Sequence, residues 1–363
     1  MVNTIHDVTA TAYRVPTDFI ESDGTLEWNS TTLVLVEIKA AGQSGTGYTY
    51  ADAALVPFIY SNLQKLILGQ NPLDTGKLFA AMATAIRNEG HCGMAYMALS
   101  AVDTALWDLK AKILGLPLCR LVGMVRNDAL IYGSGGFTSY PDERLANQLG
   151  TWSAQGIKHV KMKIGRHPDK DPARVRIARQ AIGDDTSLFV DANGAYTVKQ
   201  SLALAACFKE YGVTWFEEPV PSDDLPGLKF IRSGSPSGMN IAAGEYGYAP
   251  GYFLNMLHSE AVDVLQADAT RCGGITGILK VGAMCEAFHI PFSFHCAPAL
   301  HLHVALCVNP FYIGEYFHDH VRIEQMLFDG VQAPINGRLM PDLSKPGMGL
   351  DFKHKDAAGY KVG

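Results

Sequence analysis

The segment Val160–Gly165 reads VKMKIG. It is a short apolar run closed by a glycine, yet Lys161 and Lys163 stand at alternate positions in it. Alternate residues of a strand share a face, so both ammonium groups project to one side. Residues 188–194, LFVDANG, have the same build and end in Asp191 and Asn193. The form recurs as IYGSGG (131–136), TWFEEP (214–219), IAAGEY (241–246), VLQADA (264–269), FSFHCA (292–297) and YIGEYF (312–317). Helical stretches such as DPARVRIARQAIG (171–183) and ITGILKVGAMCEAFHI (275–290) separate the runs. Strands alternating with helices predict a parallel α/β sheet, and eight such units across residues 128–330 predict a closed TIM-type barrel.

Residues 1–127 carry a different pattern and predict an α+β capping domain. TTLVLVEIKA (31–40) is rich in β-formers, and GQSGTGYTY (42–50) reads as a glycine-rich turn leading out of it. That turn has no following lysine and helix, so it is not a phosphate loop. Residues 94–114 contain no glycine or proline and repeat apolar residues at helical spacing; Gly115 and Pro117 end the helix. Residues 331–363 are turn-rich and are expected to return to the capping domain.

Composition narrows the function. The chain has 363 residues, 48% of them hydrophobic, and a formal net charge of −6. No basic face argues for nucleic acid and no apolar run is long enough to span a membrane. The N-terminal residues lack the pattern of a signal peptide. Seven cysteines without a CxxC pair fit reduced thiols, and a cytoplasmic location is expected.

The strand tips carry Ser134, Lys161 with Lys163, Asp191 with Asn193, Glu217, Glu245, Asp268, His295 and Glu315. From Lys163 onward they lie 28, 26, 28, 23, 27 and 20 residues apart, the period of one strand–helix unit. Groups in that phase converge on one mouth of a barrel, where barrel enzymes keep their chemistry. Asp191, Glu217 and Glu245 come from consecutive strands, and three neighbouring carboxylates repel unless a cation holds them. Oxygen-only ligands favour a hard divalent ion, Mg²⁺. Glu218, next to Glu217, is expected on the opposite face of its strand. Lys161 is expected to lower the pKa of Lys163, whose ordinary value near ~10.4 is too high for a base at neutral pH. Asp268 can hold the His295 imidazole in one tautomer. Two bases flanking a metal point to removal of a proton α to a carboxylate, with Glu315, protonated or hydrogen-bonded to that carboxylate, aiding the enediolate. The second base then returns a proton from the far side or protonates a departing β-hydroxyl.

These motifs resemble the mandelate racemase subgroup of the enolase superfamily along nearly the whole chain. SAVDTALWDLKAKILGLPL (100–118) resembles the family's capping helix, and VKMKIG its KxK motif with Lys163 as base. VDANGAY, WFEEP and AAGEY resemble its three metal-ligand strands, QADATRCGGITG and FSFHCA its Asp–His dyad, and PGMGLD its closing motif. The last tip, GEYFHD, departs from the subgroup's patterns. The resemblance implies a modified (β/α)7β barrel, Mg²⁺, and a small acid-sugar substrate dehydrated to a 2-keto-3-deoxy acid. Racemisation or lactone cycloisomerisation on the same site is the alternative it leaves open. It also implies an even-numbered homo-oligomer, such as an octamer.

Substrate contacts are expected from Asn193, Ser134, Tyr48 and Tyr50, and from capping loops near residues 16–29 and 48–54. Arg87 or His91 is the candidate partner for a second substrate carboxylate. His301 and His303 read as core or surface histidines, and Cys272 and Cys296 as packing. A Schiff-base aldolase using Lys161 or Lys163, and a ligand-binding barrel without catalysis, are the competing classes.

Overall fold

The computed structural model describes residues 4–362. Three antiparallel strands open the chain: β1 (Asp7–Ser22), β2 (Glu27–Ala40) and β3 (Gln43–Tyr50). β2 alternates between two cores, as a strand of period two must. Val34, Val36 and Ile38 pack in the core of the capping domain, whereas Leu33 and Leu35 belong to the core shared with the barrel. The β1–β2 register shifts between Pro16 and Glu21, so β1 leaves regular pairing close to the hairpin at residues 23–26.

The glycine-rich segment is strand β3 rather than a turn. Only Ala41 and Gly42, with φ of 54° and 74°, make the hairpin between β2 and β3. The glycines serve packing against the helix Met94–Ile113. A Cβ on Gly47 would lie 2.2 Å from the Ala101 carbonyl oxygen, and one on Gly45 2.2 Å from that of Ala105. Glycine here signals close approach of helix and strand, which a turn-based reading misses. Gly47→Ala should therefore destabilise the protein by ~1–3 kcal/mol, the cost of overpacking. Urea unfolding checks this, and an unchanged midpoint would refute the close-packing account.

The barrel strands are β4 (Ala129–Gly135), β5 (His159–Lys163), β6 (Ser187–Asp191), β7 (Val213–Glu217), β8 (Asn240–Ala243), β9 (Val264–Ala267), β10 (Phe292–Phe294) and β11 (Phe311–Phe317). Each pairs in parallel with the next, and β11 pairs with β4 to close the ring. Tyr132, Phe189, Trp215, Ala242, Val264 and Ile313 form a cluster inside it. The tail ties the two parts together. Asp108 of the Met94–Ile113 helix accepts from the backbone N–H groups of Thr46 (2.8 Å) and Met348 (2.7 Å). Lys361 and Val362 pair with Tyr13 and Ala12 of β1. No helix among the described residues is long and apolar enough to cross a membrane.

Candidate active site

A cavity of about 450 Å³ lies between the capping sheet and the C-terminal ends of the barrel strands. Lys163, Asn193, Glu245, Arg271, His295 and Cys296 are among its barrel-side lining. Asp23, Trp28, Thr31, Tyr50 and Asp52 are among its cap-side lining.

Asp191 ends β6, Glu217 ends β7 and Glu245 lies two residues past β8, and each offers an oxygen within 4.8 Å of the others. All three are buried. The Lys163 ammonium donates to Asp191 at 2.5 Å. Lys161 is fully buried beneath it, paired with Glu217, with Glu315 at 2.9 Å and with Asp191 at 3.5 Å. Glu217 also accepts from Trp215 Nε1 (2.8 Å) and Gln266 Nε2 (3.0 Å).

Glu218 departs from the expected opposite face. Its φ is +37°, because the strand ends at Glu217 and alternation stops there. It is buried, and the charges that act on it include Glu245 and Asp191. Burial and then those two carboxylates push its pKa well up, as burial and Asp191 do for Glu217. Glu245 Oε2, Glu218 Oε1 and Asn193 Oδ1 are buried without a hydrogen-bond partner. Orphaned oxygens beside an all-oxygen acid cluster fit a hard divalent cation, held by Asp191, Glu217 and Glu245.

On the other wall, Asp268 meets His295 Nδ1 at 2.8 Å and accepts from Thr270 N–H at 2.7 Å. Burial raises the Asp268 pKa, but the hydrogen bond and charge of His295 hold it well below the carboxylate range. His295 Nε2 faces the cavity side, 3.3 Å from Glu245 Oε2 and 3.2 Å from Cys296 Sγ.

Several expectations need correction. Tyr48 does not line the cavity; it is fully buried and its hydroxyl donates to Glu324 at 2.6 Å. Tyr48 and Tyr50 share one face of β3, but Tyr48 sits deeper, in the core shared with the barrel, while Tyr50 at the strand's end, stacked on His320, reaches the lining. Ser134 is fully buried and donates to Glu315 at 2.6 Å, so it supports that carboxylate from below. Glu315 is not held protonated. Burial raises its pKa, but Lys161, His295 and Lys163 together bring it well below the ordinary value. Burial lowers the Lys163 pKa and Asp191 overrides it, so the residues alone raise it. Lys161 also lowers the Lys163 pKa, as expected, but does not decide it. Arg87 and His91 are exposed and lie outside the cavity lining.

His301 and His303 are core residues bound to backbone groups, His301 Nε2 accepting from Ala269 N–H at 2.8 Å. Sequence reasoning missed Arg271, His320, Trp28 and the lining role of Cys296. Arg271 donates to the Glu245 carbonyl at 2.9 Å. Its only signal was a place three residues after the Asp268 tip.

A closed parallel barrel with its chemical groups at the C-terminal mouth, roofed by a separate α+β domain, defines a capped barrel enzyme. A family model described as "Enolase C-terminal domain-like" matches residues 144–357. A second, "Mandelate racemase / muconate lactonizing enzyme, N-terminal domain", matches residues 8–123. The chain belongs to the mandelate racemase/muconate lactonizing enzyme family. It is similar to a mandelate racemase/muconate lactonizing enzyme-like protein from Rubrobacter xylanophilus, with 50% identity, a TM-score of 0.96, and coverage of 99% of this chain and 100% of that one. It is 32% identical over 362 residues to the 3,6-anhydro-alpha-L-galactonate cycloisomerase of Streptomyces coelicolor, covering 96% of this chain and 98% of that protein. The L-talarate/galactarate dehydratase of Salmonella typhimurium LT2, solved with Mg and L-lyxarohydroxamate, superimposes with a TM-score of 0.91 at 26% identity, covering 100% of this chain and 94% of that one.

Proposed function

We propose that this protein is a Mg²⁺-dependent acid-sugar dehydratase. It removes the proton α to a carboxylate and expels a β-hydroxyl, giving a 2-keto-3-deoxy acid and water. The observation that carries the reading is that Lys163, Glu245 and His295 line one cavity, with Asp191 and Glu217 clustered on Glu245 and Asp268 paired to His295. Mg²⁺, when bound to the trio, supplies positive charge that stabilises the developing enediolate. Lys163 would take the α-proton as a free amine, the form favoured when a cation held by Asp191 offsets the negative charge that otherwise keeps the ammonium. The Cα–H electron pair forms the C=C bond as the β C–O bond breaks. His295 Nε2–H gives its proton to the departing oxygen, which leaves as water, and the enol product then tautomerises. Asp268 orients that imidazole and Glu315 keeps Lys161 in place.

Lys161, enclosed by three carboxylates, has no free face for a Schiff base. Cycloisomerisation remains the second reading, favoured by the near full-length similarity to the Streptomyces cycloisomerase. There a ring oxygen leaves instead of a hydroxyl, and no water is lost.

The substrate is read as a monocarboxylate. Lys163, Arg271 and His295 sit on the barrel side, whereas the cap side carries Asp23, Asp52, hydroxyls and the Trp28 indole. A second carboxylate there would face like charge, which costs several kcal/mol. Aldonates and aldarates of matched stereochemistry should be screened with Mg²⁺ for 2-keto acid formation and for loss of water by mass. Monoacids should exceed diacids in kcat/KM by about 10²-fold or more. Turnover of diacids alone would refute the monoacid reading; no turnover of any sugar acid would refute the function itself.

A further inference from the structure

The imidazole nitrogen that faces the cavity also faces a thiol. His295 Nε2 lies 3.2 Å from Cys296 Sγ, and that sulfur lies 3.4 Å from Glu315 Oε2. The third side of the triangle, Nε2 to Oε2, is 3.8 Å. All three residues are buried, and His295 and Cys296 line the cavity. Zinc bonds of about 2.3 Å to sulfur and roughly 2.0–2.2 Å to nitrogen and oxygen set tetrahedral edges of roughly 3.3–3.6 Å. The triangle is close to one face of that tetrahedron.

The donors also have the orientation a metal needs. Asp268 occupies His295 Nδ1 at 2.8 Å, which fixes the ring and leaves Nε2 to point at the cluster. Glu315 is anchored through its other oxygen by Ser134 and Lys161, while Oε2 accepts from Cys296 N–H at 2.9 Å and keeps a second lone pair. Glu245 Oε2, buried and without a hydrogen-bond partner, stands 3.3 Å from the same Nε2 and can close the fourth position.

We propose that His295, Cys296 and Glu315 form a second metal site that takes Zn²⁺ and that Zn²⁺ there arrests turnover. Sulfur, nitrogen and oxygen donors select a borderline-soft ion, whereas the all-oxygen trio selects a hard one. The two sites therefore sort two cations within one cavity. On binding, the Cys296 S–H bond breaks, the zinc–sulfur bond forms, and the proton leaves through the cavity to solvent, with no redox change. The imidazole nitrogen becomes a ligand and can no longer carry a proton to a leaving group. Zinc binding stands independently of the reaction proposed above; the arrest rests on it.

Co²⁺ serves as the spectroscopic probe on the full chain in excess Mg²⁺. The background is Cys92→Ser, because Cys92 is an exposed free thiol. Co²⁺ should give a thiolate-to-metal charge-transfer band at one ion per chain, and Zn²⁺ should quench it. Cys296→Ser and Cys296→Ala should each lose the band and weaken Zn²⁺ binding at least tenfold. In the Cys296-intact protein, Zn²⁺ should raise the thermal midpoint and stop turnover, and a chelator followed by Mg²⁺ should restore it. Absence of the band, an identical band in the Cys296 variants, or full reversal by raising Mg²⁺ alone would overturn the site. A band without loss of turnover would retain the metal site and overturn the arrest.

Discussion

Lys163→Ala and His295→Asn are each expected to lower kcat by ~10³-fold or more, within the range of about 10²–10⁴ that a placed acid or base contributes. The structure gives the argument its shape. Lys163 and His295 come from β5 and β10, with β4 and β11 between them on one side of the ring. Both line the same cavity. A substrate bound between them presents its α-proton to one and its leaving oxygen to the other. The two variants should fail differently. With Lys163 as the α-proton base, His295→Asn should still exchange the α-proton of bound substrate with D₂O, and Lys163→Ala should not. Asp268→Asn should follow His295→Asn, because Asp268 holds the reacting imidazole through Nδ1. Substrate stereochemistry decides which face carries the proton, and the opposite exchange pattern would swap the two roles. Near-wild-type turnover by both single variants on the true substrate would remove the two-base account.

The tips were legible because barrel topology converts a sequence period into a place. Residues 28 or 26 apart have no reason to meet in an open chain, yet Lys163, Asp191 and Glu217 meet once each ends a neighbouring parallel strand. What sits between or beneath the tips was not legible. Tyr48 and Tyr50 look alike in sequence and share one face of β3, and only their depth along the strand leaves one in the core and brings the other to the cavity. Gly45 and Gly47 read as turn residues because glycine is ambiguous between a turn and a close contact; the Met94–Ile113 helix decides it. The charge on the lysines was misjudged for a related reason. Burial and the neighbouring Lys161 do lower the Lys163 pKa, but the carboxylate that outweighs them, Asp191, arrives from β6. Glu218 failed because alternation holds only while the strand continues, and the backbone turns at that residue.

Stripping divalent ions with a chelator is expected to abolish turnover, by about 10³-fold or more, while leaving the barrel folded. The loss follows from the reaction: the enediolate charge needs several kcal/mol of stabilisation that Lys163 and His295, both engaged in proton transfer, do not supply. The retention of fold follows from the site's own pairing. Asp191 is bonded to Lys163 and to the Asn193 N–H at 2.9 Å, and Glu217 to Lys161, Trp215 and Gln266. Those contacts compensate the buried carboxylates without a cation, so the apo protein should keep a cooperative unfolding transition. Burial raises the Asp191 pKa, but Lys163 and Lys161 hold it below the ordinary value, so Asp191 stays ionised and ready to bind. Adding Mg²⁺ should restore activity, whereas Asp191→Asn should remain inactive at any Mg²⁺ concentration because it removes the charge and replaces one carboxylate oxygen with an amide nitrogen. Circular dichroism, thermal unfolding and turnover on one chelated sample, with residual metal measured by atomic absorption, separate the two effects. Full activity in a sample shown to be metal-free would end the metal-dependent reading; loss of the folded state would mean that the cation is structural, contrary to the pairing seen here.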